Sequence, residues 1–239
     1  MGSMIRSEYD SIIAAQSEVE YRSALVRFTE NLGFTTVGAF TAIDHPMAPT
    51  EFHGIENVPI SYKAHHSDAS QGRIDPVMQH CKWRSTPIVW DERTYRDCNQ
   101  GDMWEMLASH GMRSGISLAL HMPEGRHFMI GVERDCSVPK DMREQTRMVA
   151  DLQLFAVYAQ DIATRILLPS TKLADMPKLT PRELEALRWT MDGKTAWEVG
   201  MILGISERTA VLHLSNAMHK LSAVNKHQAV LKALRAGLL

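Results

Sequence analysis

Cysteine is scarce in this chain of 239 residues, and the three that occur lie far apart. Cys81, Cys98 and Cys136 form no Cys-x-x-Cys pair, which argues against a disulfide framework and against structural zinc. Long apolar runs are also lacking, since no stretch reaches the roughly 18 residues that a membrane span requires. The N-terminal residues lack the apolar segment of a signal peptide. These absences predict a globular, cytoplasmic protein with no membrane segment.

Charge is nearly balanced over the whole chain, with 26 basic and 28 acidic residues, but it is unevenly distributed. From residue 176 onward the chain has nine lysines and arginines against five acids, a net charge of +4, whereas residues 1–175 carry −6. This asymmetry indicates that the C-terminal part meets a polyanion such as a nucleic acid.

Helical and strand-like patterns alternate along the first 168 residues. Helices are predicted after a capping box formed by Ser17 and Glu20, and over 139–168. Strands are predicted over four segments, 34–43, 85–90, 115–122 and 126–134, the last two forming a hairpin. The three prolines of residues 44–59 predict a loop. This order predicts an α+β fold, an α/β/α sandwich with an antiparallel sheet.

Two prolines and a serine interrupt the helical pattern in residues 169–178, which are therefore predicted to be a linker. It would separate an N-terminal domain, 5–168, from a C-terminal domain, 179–239.

The C-terminal domain is predicted to be an all-α bundle of four short helices. Thr180 caps the first, which buries a stripe of Leu184, Leu187 and Met191. Only Gly204-Ile205-Ser206 separates the second helix from the third. Such close spacing predicts a helix-turn-helix, in which the third helix lies in the major groove of DNA.

One face of the third helix carries side chains suited to DNA. The basic side chains are predicted to contact phosphates: Arg208, His213 and Lys220. The others are predicted to contact base edges or a thymine methyl group: Thr209, Asn216 and Leu212. An ordinary helical bundle with a solvated polar face is the alternative.

The segment LTPRELEALRWTMDGKTAWEVGMILGISERTAVLHLSNAMHKL closely resembles the DNA-binding domain of LuxR-type transcriptional regulators. The resemblance spans residues 176–239 and implies a homodimer on an inverted repeat of double-stranded DNA, with Lys194 and Thr195 among its contacts. The family usually has Thr-Val-Lys where this chain has Thr209-Ala210-Val211. Valine therefore replaces a lysine that would contact phosphate or base.

Residues 5–168 resemble the acyl-homoserine-lactone-binding domain of quorum-sensing LuxR regulators. The resemblance is carried by Ile74-Asp75-Pro76-Val77, by Pro87-Ile88-Val89-Trp90 and by the segment from Trp104 to Gly115. It implies that Asp75 accepts the amide N–H of the ligand and that Trp90 packs against the lactone ring. A buried amide needs both its donor and its acceptor satisfied.

Four further ligand positions differ from the usual family residues. By register from Asp75, Tyr62 replaces a Trp that donates to the lactone carbonyl, and His66 replaces a Tyr that donates to the amide carbonyl. Both can still donate a hydrogen bond. Gly38 and Gly131 stand where relatives often have serine, and they are expected to enlarge the cavity and remove hydroxyls. The ligand is therefore an acyl-homoserine lactone, another small amphiphile, or absent altogether.

These features predict a ligand-responsive transcriptional regulator of quorum sensing, with a small-molecule signal and no other cofactor. The alternative from another class is an enzyme whose metal would be held by a scattered set: His65, His66, Asp75, His80 and Cys81. Their spacing matches no compact metal motif, and adjacent histidines on a helix diverge by about 100°. Neither a catalytic residue nor a metal site is therefore predicted.

Overall fold

The computed structural model describes residues 2–45, 48–59, 62, 71–168 and 178–239. The chain forms two compact units, residues 1–169 and 170–239. The predicted linker, 169–178, lies outside the described residues except for Lys178.

One antiparallel sheet organises the N-terminal unit. Its strands are β1 (Thr36–His45), β2 (Ala48–Glu56), β3 (Ile88–Trp90), β4 (Ser114–Met122) and β5 (Arg126–Arg134). The order across the sheet is β2-β1-β5-β4-β3, and each neighbouring pair is antiparallel. The predicted hairpin is confirmed as β4 and β5.

Helices cover both faces of this sheet, as the predicted α/β/α sandwich requires. They are α1 (Gly2–Ala14), α2 (Glu18–Asn31), α3 (Pro76–Trp83), α4 (Glu92–Arg96), α5 (Gly101–Ser109) and α6 (Met142–Ile166). Ser17 caps α2 as predicted, because its Oγ accepts the Glu20 N–H at 3.3 Å. The Glu20 carboxylate accepts from the Gln16 N–H at 2.7 Å instead of from Ser17, so the predicted capping box is displaced by one residue.

The loop predicted over 44–59 is wrong, because most of that segment is β2. This strand pairs only with β1 and forms an edge of the sheet. Pro49 stands at the second position of the strand. Proline is tolerated at the start of an edge strand because its missing N–H breaks no central ladder. The prolines therefore indicated an edge strand and not the absence of a strand.

The two faces of the sheet are used differently, as β5 illustrates. Phe128, Ile130 and Val132 are buried in the main core, with residues of α1, α2 and α6. Because side chains alternate along a strand, Met129, Gly131 and Glu133 lie on the opposite face. That second face is covered by a smaller apolar cluster with residues of α3, α4 and α5.

Residues 178–239 form a bundle of four helices: α7 (Pro181–Met191), α8 (Ala196–Leu203), α9 (Glu207–Lys220) and α10 (Lys226–Arg235). The predicted buried stripe of α7 is wrong at Met191, which is 45% exposed. The buried residues are Glu183, Ala186, Leu187 and Thr190. The buried face is thus shifted by one residue, and its Glu183 carboxylate accepts a hydrogen bond from Lys220 Nζ.

Candidate ligand cavity and DNA-binding surface

A cavity of about 440 Å³ lies in the N-terminal unit, on the sheet face opposite the main core. Most of its lining is apolar: Phe40, Phe52, Val58, Val77, Met78, Leu107, Met112 and Met129. Cavities of this size hold small organic ligands, and unbranched methionines adapt to irregular shapes. The space beside Asp75 and Trp90 is therefore not filled by the side chains of the described residues.

Trp90 ends the short strand β3 and forms one wall of the cavity, with only 3% of its surface exposed. Its indole Nε1 donates to Ser117 Oγ of β4 at 3.2 Å. A Cβ at Gly115 would lie 2.7 Å from the indole, so glycine is required beneath the ring. Tyr95 meets the indole edge-on at 5.7 Å between ring centroids. These contacts fix the indole and satisfy its N–H within the protein.

Asp75 caps α3 and also lines the cavity. Its Oδ1 accepts the backbone N–H groups of Val77 at 2.8 Å and Met78 at 3.1 Å, and the Tyr95 hydroxyl lies at 3.5 Å. Pro76 takes the first helical position, where a missing N–H costs nothing. Asp75 is 6% exposed. Its carboxylate is thus held in place by the start of a helix.

Tyr62 lies in the same cavity wall, with its ring edge-on to His110 at 5.7 Å between ring centroids. Burial, with Glu133 and Asp75 adding to it, raises the pKa of its phenol, which keeps its proton as a donor. Burial, and then Asp75, raises the pKa of Cys81 to about 12, so this lining thiol is neutral. His66 lies outside the described residues.

Gly38 and Gly131 also line the cavity, and they face each other across β1 and β5. A Cβ at Gly38 would lie 2.8 Å from the Phe40 ring. A Cβ at Gly131 would lie 2.8 Å from Glu133 Oε1 and 3.0 Å from Ser117 Oγ. The side chains of Phe40, Glu133 and Ser117 thus occupy part of the volume that side chains at the two glycine positions would fill. Ser117 also supplies a hydroxyl beside Gly131.

Glu133 and Ser117 line the cavity but were not predicted from the sequence. Burial, with the charges of Asp75 and Glu56 adding to it, raises the pKa of Glu133 to about 8. Its carboxyl is therefore mostly protonated at neutral pH. The alternation of residues 126–134 carries a signal for it, because Glu133 shares a face with Gly131.

The helix-turn-helix is built from α8, its turn and α9. Gly204 adopts a left-handed conformation (φ 66°, ψ 35°) and ends α8. A Cβ at Gly200 would lie 2.9 Å from the Ile205 carbonyl oxygen, so only glycine permits this close approach. Ser206 then caps α9 by accepting the Thr209 N–H at 3.1 Å. Three small residues thus hold the two helices together.

The predicted DNA contacts differ in exposure. Five are exposed: Thr195, Arg208, Leu212, Asn216 and Lys220; three are half-buried: Lys194, Thr209 and His213. Two of them already have partners, since the Thr209 hydroxyl meets Ser206 Oγ at 2.8 Å and the Thr195 hydroxyl donates to Glu198 Oε2 at 2.9 Å.

Lys220 has a structural partner as well. Its Nζ donates to Glu183 Oε2 at 2.8 Å, and the same carboxylate accepts the Thr180 N–H at 2.7 Å. Burial alone would raise the pKa of Glu183, but hydrogen bonds from Lys220 and Thr180 hold it below its ordinary value. An ammonium has three N–H donors, so this ion pair does not use all of them.

The structure also bears on metal binding and on membrane spans. Within the described part of the chain, no three His, Cys, Asp or Glu side chains converge as a metal site requires. Of the histidines in the enzyme alternative, His65 and His66 lie outside that part, and His80 Nε2 is 2.7 Å from the Thr86 carbonyl oxygen. Among the described residues, no helix combines the length and hydropathy needed to cross a bilayer.

Comparison with known proteins covers both units. A family model described as an autoinducer binding domain matches residues 17–163, and one for the bacterial regulatory proteins of the luxR family matches 177–233. The transcriptional activator protein SolR of Ralstonia nicotianae is 28% identical over 239 residues, which is 100% of each chain. The quorum sensing-dependent transcriptional regulator RpaR of Rhodopseudomonas palustris is 35% identical over 169 residues, 70% of this chain and 66% of RpaR.

The fold is shared with Escherichia coli SdiA. Its crystal structure superimposes with a TM-score of 0.73 at 23% identity, covering 99% of this chain and 98% of SdiA. A second SdiA structure is a complex with octanoyl-rac-glycerol. Because the autoinducer-binding match alone spans more than half of the residues, the chain belongs to the LuxR family of autoinducer-binding transcriptional regulators.

Proposed function

We propose that this regulator binds an acyl-homoserine lactone in its N-terminal cavity and an inverted-repeat DNA site as a homodimer in the cytoplasm. The observation that carries the proposal is a largely apolar cavity of about 440 Å³ with Asp75 and Trp90 in its wall. The proposed sensor domain is 5–168, the linker 169–178 and the DNA-binding domain 179–239.

The ligand's amide is the group that the polar wall would recognise. Asp75 accepts the amide N–H, Trp90 packs against the lactone ring, and Tyr62 and His66 donate to the two carbonyl oxygens. Gly38 and Gly131 form the floor of the cavity. Asp75 supports this role because it is already oriented by the start of α3, which lowers the entropy that binding must lose.

DNA recognition would place α9 of each protomer in the major groove, with half-sites about one helical turn apart. Lys194, Thr195, Arg208, His213 and Lys220 contact the phosphates and position the helix. The remaining three contact the bases: Thr209, Leu212 and Asn216. Exposure of Arg208, Leu212 and Asn216 supports this division.

A different acyl amphiphile is the second candidate ligand. The SdiA complex contains octanoyl-rac-glycerol, an acyl ester with hydroxyl groups and no amide. In this chain Tyr62 replaces the family's usual Trp. This replacement favours a ligand whose head group differs from homoserine lactone. The rest of the proposal is the same for either ligand.

The test combines ligand identification with selection of DNA. The protein is produced with acyl-homoserine lactones and monoacylglycerols of several chain lengths, and bound compounds are identified by mass spectrometry and titrated by calorimetry. We expect one chain length to bind with a Kd of about micromolar or tighter, as for ligands of this size. The liganded protein then selects an inverted repeat from random duplexes, and Asn216→Ala relaxes that selection.

Failure of any acyl compound to bind would refute the ligand half of the proposal. Selection of single half-sites, or of no sequence, would refute the DNA half.

A further inference from the structure

Three carboxyl groups lie in the cavity wall. Glu56, Asp75 and Glu133 all line it, and among its described lining residues there is no lysine or arginine. Among the described lining residues, an acyl ligand ending in a carboxylate would meet three acidic groups and no lysine or arginine. The wall therefore disfavours anionic ligands.

Glu133 occupies a distinct position among these acids. It lies two residues beyond Gly131 on the cavity face of β5, and its Oε1 lies 2.8 Å from where a Gly131 side chain would begin. Glu133 Oε2 is fully buried and has no hydrogen-bond partner among the described residues. A buried polar atom without a protein partner is costly, and a polar ligand atom beside Glu133 would supply that partner.

The protonation state of Glu133 decides whether its carboxyl group can donate a hydrogen bond. Among the described residues, the groups that face it from other elements are Glu56 of β2, Asp75 at the start of α3, Tyr62, and Tyr95 of α4. Burial and the two acids raise the pKa of Glu133 to about 8, so its carboxyl carries a proton at pH 7. A protonated carboxyl has an O–H donor that a carboxylate lacks.

We infer that Glu133 is a second polar anchor, whose neutral carboxyl donates a hydrogen bond to a carbonyl oxygen of the ligand. This inference rests on the proposed function and narrows its ligand class. The cavity accepts neutral acyl compounds with a carbonyl-bearing head group and rejects acyl carboxylates. It thus distinguishes an intact acyl-homoserine lactone from its ring-opened acid.

The pH dependence of binding tests the protonation state. The probe is the γ-lactam analogue of N-octanoyl-homoserine lactone, because its ring carbonyl survives alkali. Only protonated Glu133 donates, so affinity is constant below its pKa. Above about pH 8, Kd rises by up to about ten-fold per pH unit, because binding must first restore the proton. A Kd that stays flat or falls up to pH 9.5 overturns the inference.

Variants of Glu133 test the donor. Glu133→Gln keeps a donor that does not titrate, so we expect affinity within about three-fold of the wild type and no pH dependence. Glu133→Leu keeps the size without the donor and weakens binding about ten-fold or more. The matched control is Glu30→Gln, an exposed glutamate of α2, which leaves both the affinity and its pH dependence unchanged.

Different binding results would contradict the role of Glu133 and the proposed ligand class. If wild-type protein binds the lactone but Glu133→Leu binds it equally well, or if ring-opened N-octanoyl-homoserine binds as tightly as the lactone, only the inference is overturned. If no acyl compound of any chain length binds, both the inference and the ligand half of the proposed function fall. Should Glu133→Leu not fold, the wild-type pH series alone decides.

Discussion

At the residue scale, Asp75 is shared between the helix that it caps and the cavity that it lines. Asp141 offers a close match, because it caps α6 with nearly the same backbone angles and no cavity contact. Its φ and ψ are −66° and 117°, against −65° and 117° for Asp75, and each Oδ1 accepts two backbone N–H groups. The pair therefore separates the structural role of a capping aspartate from a role in ligand binding.

Replacing Asp75 by Asn tests that separation. Asn caps helices about as well as Asp, so Asp141→Asn should lower the free energy of unfolding by about 0.3–1 kcal/mol, through loss of charge at a helix start. Asp75→Asn should lower it by no more than that, because the charge of Asp75 is buried near the acidic Glu133. In Asp75→Asn the side-chain NH₂ would face the ligand's amide N–H, and two donors cannot pair. Ligand affinity should fall about ten-fold or more in Asp75→Asn alone, as measured by calorimetry.

The melting temperatures of the two variants are the internal control, and Asp75→Asn should melt no lower than Asp141→Asn. Lactone binding by Asp75→Asn at wild-type affinity would show that Asp75 is only a helix cap.

Motifs predicted Asp75 and Trp90 at the cavity because both sit in short, specific sequence patterns. Glu133 was missed because its role depends on which strands pair. Only the register of β5 with β4 brings it beside Ser117 and Gly131. The same dependence explains why the glycines do not simply enlarge the cavity, since Phe40 and Glu133 enter the released space.

At the element scale, the predictions that succeeded depend on local signals. Thr180 marks the start of α7 and Gly204-Ile205-Ser206 marks the turn between α8 and α9, and both signals act as expected. β2 was not predicted because the prolines of residues 44–59 indicate a loop, and no helix was predicted over the residues of α3. Pro49 instead lies in an edge strand, and Pro76 begins a helix, which are the two places that tolerate a missing N–H.

Val211 of α9 stands where the family usually has a lysine, so a lysine introduced there tests whether this position contacts DNA. Val211 is 47% exposed on α9, so Val211→Lys should change the free energy of unfolding by less than about 0.5 kcal/mol. If the side chain reaches a phosphate, the slope of log K against log salt should steepen by about 0.9 per protomer, with tighter binding at low salt. Fluorescence anisotropy on the selected duplex at several salt concentrations measures both.

Val224→Lys is the matched control, because Val224 is 81% exposed between α9 and α10 and gains the same charge. Equal slopes for the two variants would mean that Val211 does not face the phosphate backbone.

At the scale of the whole molecule, the N-terminal unit folds around a space that its described residues leave open. Atoms at the wall of a cavity lose packing partners, so an occupant should add to the stability of this unit. Deep burial of the ligand's apolar chain would supply the driving force, and the polar wall would supply its selectivity. Ligand binding and folding of the unit are then thermodynamically linked.

This linkage gives a prediction with a magnitude. A ligand that binds only the folded unit, at a free concentration of 100 times its Kd, stabilises that unit by about 2.7 kcal/mol. For a domain of this length, the stabilisation should raise the melting temperature by about 5–10 °C. Amides of β3, β4 and β5 that exchange only through unfolding should exchange about 100-fold more slowly with solvent.

Calorimetry and hydrogen exchange with mass spectrometry measure the two effects, and octanoic acid, an acyl carboxylate, is the control that should produce neither. Slower exchange confined to segments outside the cavity would place the ligand elsewhere and contradict the role assigned to Asp75 and Trp90.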